Sequence, residues 1–231
     1  LAEEINDENF LMVPYNLIQL TGEINREITI KMTELLLEYD YRNQLIDVLQ
    51  PIHILINSPG GEVSSAWQII DIMDAIKSPV YTIGTGLICS SAVSVFISGE
   101  PGHRILSSHS SIMCHQYSWG VEGRYQDLKA IKPEIDNIQK RLEDHYCDRT
   151  GIDRNILKNE LFGNADKWLT PQQAKKIGLA DSVMNFSKRN PFTIKKELQP
   201  KNQRKIIKSL QKQQENLNKL IEMGSEENEV Q

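Results

Sequence analysis

Apolar positions recur along this chain with two different periods, and the switches between them mark out its elements. Asn16–Leu20 is a short apolar run that predicts a strand, closed by Thr21-Gly22. Ile28, Met32, Leu35, Leu36 and Tyr39 recur at helical spacing and predict a helix over 28–39. His53–Ile56 is a compact apolar run of the kind a buried strand shows, and Asn57-Ser58-Pro59-Gly60-Gly61 ends it as a sharp turn. An amphipathic helix is predicted over 63–76, its inward face made of Ala66, Ile69, Ile70 and Met73. Pro79–Thr82 predicts the next strand and Gly84–Gly86 the next turn.

Cys89–Ser98 is small and apolar throughout, which predicts a buried helix. Arg104–Leu106 and Ser111–His115 read as two short strands, and Gly123–Thr150 as one long charged helix with Pro133 as a kink or an interruption. Asp153 is placed to cap a helix over 154–161. Thr170-Pro171 supplies an N-cap and a first-turn proline for a helix over 172–177, which Gly178 closes. Leu179–Val183 returns as a strand. Strand, turn and helix therefore alternate, which predicts α/β layers.

Composition refines this picture at the two ends. The 231 residues suit one sizeable domain with an appendage. Three segments are expected: a short N-terminal piece over 1–15, a globular domain over 16–184, and a charged extension over 185–231, helical or disordered. In the extension, Ile206, Leu210, Leu217 and Ile221 recur at roughly helical steps. A net charge of −5 offers no basic field for nucleic acid. No apolar run approaches the ~20 residues of a membrane span. Glu3, Glu4, Asp7 and Glu8 argue against a signal peptide, and a first residue other than Met suggests trimming, processing or disorder upstream. Cys89, Cys114 and Cys147 form no zinc-type spacing and suit a reducing, cytoplasm-like compartment.

Four segments carry candidate chemistry. Asn57–Gly61 lets the backbone approach a ligand with free N–H groups that suit a developing oxyanion, although alone it reads first as a tight turn. Ser90 follows a glycine turn at the start of a small-residue helix, where free N–H groups favour negative charge; Ser90 or Ser91 could equally be a plain cap. His115 ends an apolar strand, with His53, His103 and His109 as other histidines to weigh. Asp166 precedes a strand-like turn and could hold an imidazole tautomer, against the competitors Asp148, Asp153 and Asp181. Of these, Asp153 is better explained as a cap.

In order, these residues resemble the proteolytic subunits of Clp proteases (ClpP). The resemblance is carried by Ile56-Asn57-Ser58-Pro59-Gly60-Gly61, Gly86-x-x-Cys89-Ser90-x-Ala92, Met113-x-His115-Gln116, and Asp166-x-x-Leu169-Thr170 through Ala174, Gly178-Leu179 and Asp181. The separations of 29 residues from Gly61 to Ser90 and 25 from Ser90 to His115 match the family's. The resemblance implies the ClpP/crotonase-like α/β fold of stacked ββα units with a protruding handle helix, to which 123–150 would belong. It implies a serine peptidase with Ser90 as nucleophile, His115 as base, Asp166 as orienting acid, and the N–H groups of Gly61 and Ser91 as oxyanion hole. No metal or organic cofactor is implied. Substrates would be unfolded polypeptides or peptides. The implied assembly is two stacked heptameric rings enclosing a chamber, served by a hexameric AAA+ unfoldase.

The chain departs from that pattern at several positions. Ser91 follows the expected nucleophile where the family has Met or Ala, and Tyr117 stands where it has proline. The stretch from His115 to Asp166 is about two residues longer, the segment before Tyr15 is short for unfoldase docking, and the tail is long. Such divergence suits a phage-encoded or organellar member. Three other readings remain: a catalytically silent subunit of a mixed ring, a phage capsid-maturation protease, and an acyl-CoA enzyme of the crotonase type.

Overall fold

The computed structural model describes residues 16–45, 47–120, 122 and 124–185. The segments 1–15 and 186–231, including the helical pattern read over 206–221, lie outside the described residues. Five strands run parallel in the order β1-β2-β3-β4-β7: β1 (Leu17–Thr21), β2 (Ile52–Ser58), β3 (Val80–Cys89), β4 (Arg104–Ser107) and β7 (Ser182–Met184). Two more, β5 (Ser111–Cys114) and β6 (Lys167–Leu169), branch from β3. This is the mixed α/β, parallel-sheet arrangement with a long helix that the ClpP/crotonase fold leads one to expect.

Parallel strands need crossovers, and the helices supply them. The first two are α1 (Arg26–Leu45) and α2 (Val63–Ala75). The predicted inward face of α2 is buried as read, at Ala66, Ile69, Ile70 and Met73. In α1, Met32 and Leu36 are buried, with Ile28, Leu35 and Tyr39 packed against the same core. At its C-terminal half Asp40 holds the start of β3: its carboxylate accepts from the Ser78 N–H and hydroxyl at 2.8 and 2.7 Å and from the Lys77 N–H at 3.1 Å. Burial alone would raise this carboxyl's pKa, but the Ser78, Gln44 and Lys77 donors outweigh it and hold it below its ordinary value.

One predicted turn is corrected. Gly84–Gly86 does not end a strand; β3 runs through it to Cys89. The glycines instead create a bulge. The register against β2 jumps from Ile56↔Gly84 to Ser58↔Ile88, and Gly86 takes φ +62°. The consequence is positional. The first half of β3 pairs with β4 and the second half with β5. The chain then leaves β3 at Ser90, at the branch of the sheet, and enters α3 (Ser91–Ile97), all seven residues of which are buried. Cys89, read as helical, is the last strand residue.

Helix α4 (Tyr125–Thr150) is exposed over its first half, includes Pro133, and buries Leu142, Glu143, His145 and Tyr146 near its end. Asp153 caps the next helix as read, accepting from the Asn155 and Ile156 N–H groups. That helix, α5 (Arg154–Ile156), continues as a π-helical turn over Leu157–Leu161. Thr170 and Gln173 form a capping box for α6 (Pro171–Lys176). The strand β6 was legible only as a turn: three residues with one buried side chain are too few to show a period.

Candidate active site

Ser90 sits at φ 55°, ψ −130°, a backbone conformation that a non-glycine residue adopts only when its surroundings impose it. Several contacts do so. Its N–H donates to the Met113 carbonyl of β5 at 2.9 Å, and its carbonyl accepts from the Val93 N–H at 2.9 Å. From the other side the Pro-Gly-Gly turn presses on it. A Cβ on Gly60 would lie 2.7 Å from the Cys89 carbonyl and from the Ser90 Cβ. A Cβ on Gly61 would come within 2.2 Å of the Ile24 carbonyl. Both glycines have φ in the range that favours glycine, at +94° and +146°. The sequence Asn57–Gly61 is therefore more than a tight turn: it is the wedge that fits against the serine turn.

His115 follows β5, one strand over from the end of β3. Its Nε2 lies 2.8 Å from the Ser90 Oγ. Its Nδ1 lies 2.5 Å from the main-chain oxygen of Gln116. A carbonyl oxygen only accepts, so Nδ1 carries the proton and Nε2 offers its lone pair to the serine hydroxyl. This is the tautomer that a general base needs.

The two serines are separated by their partners. The Ser91 hydroxyl donates to the Gly61 carbonyl at 3.2 Å, and the residue is buried, whereas the Ser90 hydroxyl meets the imidazole. The parallel bridge between Ile24 and Gly61 uses the Gly60 carbonyl and the Glu62 N–H, which leaves the Gly61 N–H directed away from that partner. Ser91 is the first residue of α3, where an N–H has no intrahelical acceptor.

Asp166 stands apart. The β5–β6 ladder pairs Cys114 with Lys167, so one step further sets Asp166 opposite His115. Asp166 is exposed, and no hydrogen bond joins it to the ring. Its charge is nevertheless felt nearby. The Cys89 thiol is raised chiefly by burial, with Asp166 a smaller contributor in the same direction. The competitor Asp181 is committed elsewhere: its carboxylate takes Arg104 Nε at 3.0 Å and Nη2 at 2.6 Å as a fork, plus the Arg104 N–H at 2.9 Å. His53 and His103 flank Tyr81, and His109 is exposed. His145 is buried against Ser94, Ser98 and Trp67, and burial lowers its pKa.

Beside Ser90 lies a small groove. Its walls include Val63, Ser94, Tyr117, Leu142, Tyr146 and Phe162, of which the sequence had singled out Tyr117 alone, as a departure from the family pattern. One signal was available: positions 139, 142, 143 and 146 share a face of α4 by helical spacing. Among the described residues, no group of three or more metal-binding side chains is gathered, and no helix is long and apolar enough to cross a membrane.

The family model for Clp protease matches residues 3–187. The chain belongs to the Clp protease family. Among curated relatives, the "ATP-dependent Clp protease proteolytic subunit 1" of Chlamydia abortus is 36% identical over 137 residues, 58% of this chain and 70% of that protein. The "ATP-dependent Clp protease proteolytic subunit" of Ostreococcus tauri is 34% identical over 137 residues, 59% of this chain and 68% of its own length. A longer match, 28% identical over 189 residues, covers 80% of this chain and 92% of the "ATP-dependent Clp protease proteolytic subunit 2" of Treponema denticola. This Clp protease family member is thus a moderately distant relative of these proteins, and the Ser90–His115 pair lies inside the matched region.

Proposed function

We propose that this chain is a serine endopeptidase in which Ser90 attacks the scissile carbonyl while His115 Nε2 takes its proton. The observation that carries the reading is the 2.8 Å contact between Ser90 Oγ and an imidazole nitrogen whose tautomer leaves it free to accept. The tetrahedral oxyanion faces the N–H groups of Gly61 and Ser91. His115 then returns the proton to the leaving amine, an acyl-enzyme remains on Ser90, and water repeats the sequence to release it. Asp166, across the ladder from His115, is the family-matched acid. Its charge stabilises the imidazolium that forms at each step. By analogy with the relatives' names, the enzyme works as the peptidase of an ATP-dependent machine. Stacked heptameric rings would enclose the active sites, and a hexameric unfoldase would feed them.

The test is hydrolysis of short fluorogenic peptides, which need no unfolding, by the purified chain and by Ser90→Ala and His115→Ala. Turnover by the parent and none above background by either variant supports the reading. A folded parent with no turnover favours the silent ring subunit instead, for which the unbonded Asp166 is the motivating observation.

A further inference from the structure

The peptide group joining Gln116 to Tyr117 makes two hydrogen bonds, one at each end. Its carbonyl accepts from His115 Nδ1 at 2.5 Å, and its N–H donates to Gln139 Oε1 on α4 at 2.8 Å. A peptide group is planar, so fixing its N–H fixes the direction of its C=O. Donation from the N–H also polarises the amide and strengthens the carbonyl as an acceptor. Gln139 is itself anchored: its Nε2 donates to Glu143 Oε1 at 3.2 Å, one turn along the helix. Glu143 is buried, and its other oxygen is held by Arg154 at 3.3 Å and Lys158 at 3.1 Å from the segment after α4.

We infer that Gln139 is a positioning residue for the reaction, acting through the 116–117 peptide to aim and tautomerise His115, with Glu143 as its anchor. The inference rests on the proposed roles of Ser90 and His115. It assigns to α4 the task of presenting a competent base to the serine while Asp166 remains unbonded. Two cations and a buried carboxylate fix the amide of Gln139, so that its oxygen, not its nitrogen, meets the Tyr117 N–H. Neither Gln139 nor Glu143 hydrogen-bonds to Ser90 or His115.

The experiment compares Gln139→Met, which keeps length and removes both hydrogen bonds, with the double variant Q139E/E143Q. In the double variant a carboxylate oxygen still accepts from Tyr117, and the reversed amide at 143 donates back to it. Peptide kcat and KM, fluorophosphonate inactivation rate and melting temperature are read for each, with Ser90→Ala as reference. The expected result is a fall of roughly tenfold in kcat and in labelling rate for Gln139→Met, with KM and melting temperature close to the parent's. Q139E/E143Q recovers most of the lost rate. Parent-like rates in Gln139→Met would overturn the inference. So would a loss that follows the melting temperature and is not recovered by the swap. If Ser90→Ala still labels, the reading of the site itself fails. If Ser90→Ala is silent and Gln139→Met is normal, only the role of Gln139 fails.

Discussion

Ser90 and Asp166 each adjoin a strand end of the same sheet, yet they are held in opposite ways. Ser90 is pinned by β5 through its N–H, by Gly60 through close packing, and by His115 through its hydroxyl. Asp166 is exposed, and no bond ties it to the imidazole it faces across the ladder. The contrast teaches that the proposed nucleophile and base are held by main-chain hydrogen bonds and close packing. On that reading the carboxylate of Asp166 contributes charge without contributing shape. Orientation of the ring is delegated to a main-chain carbonyl.

That difference can be broken first at the serine. Ser90→Ala should reduce peptide hydrolysis by about 10⁴-fold or more, at unchanged far-UV circular dichroism. The pinning can be attacked next. Gly60→Ala asks a Cβ to occupy space 2.7 Å from the Cys89 carbonyl at φ +94°, and should cost about 3 kcal/mol in denaturant unfolding. An alanine at Gly22, whose Cβ would meet nothing within 4 Å, should cost about 1 kcal/mol, from its φ of +87° alone.

Smaller effects sharpen the comparison from the carboxylate side. Asp166→Asn should lower kcat only about 10- to 100-fold, less than the ~10⁴ seen when a bonded triad carboxylate is replaced. Its melting temperature should stay within about 2 °C of the parent's, as for other exposed sites. Carboxylates that do contribute shape behave differently. Asp40 and Asp181 are desolvated by burial, which would raise them, but their donors outweigh it and hold both below the ordinary value of 3.8. Their depressed folded-state pKa values mean that the stability they supply is complete above that value. It is lost as the pH falls below it and on through the lower folded-state values. The urea midpoint should therefore drop as the pH is taken below the ordinary carboxylate value, and Arg104→Met should flatten part of that drop.

Much of this was legible because local chemistry and packing agree. The α2 face, the Asp153 cap and the Thr170 box were each written in side chains that act within one turn of their own backbone. Ser90 and His115 were marked by type and spacing, and the fold brings them together. What escaped was non-local or carried by backbone. The glycines of β3 look like a turn in one dimension, and only pairing with β2 makes them a bulge. Nothing in the letters Gln116 or Gln139 announces a main-chain carbonyl aimed at a ring. The departure at Tyr117 was visible, but its consequence needed coordinates: unlike proline, tyrosine has an N–H to give to Gln139.

The most direct measurement is to treat the purified chain with a fluorophosphonate and map the adduct by peptide mass spectrometry. A single phosphonyl group on Ser90, absent when His115 is alanine, is the predicted result. An adduct on Ser91, or label on Ser90 that persists at full rate without the imidazole, would contradict the pairing of that hydroxyl with that ring.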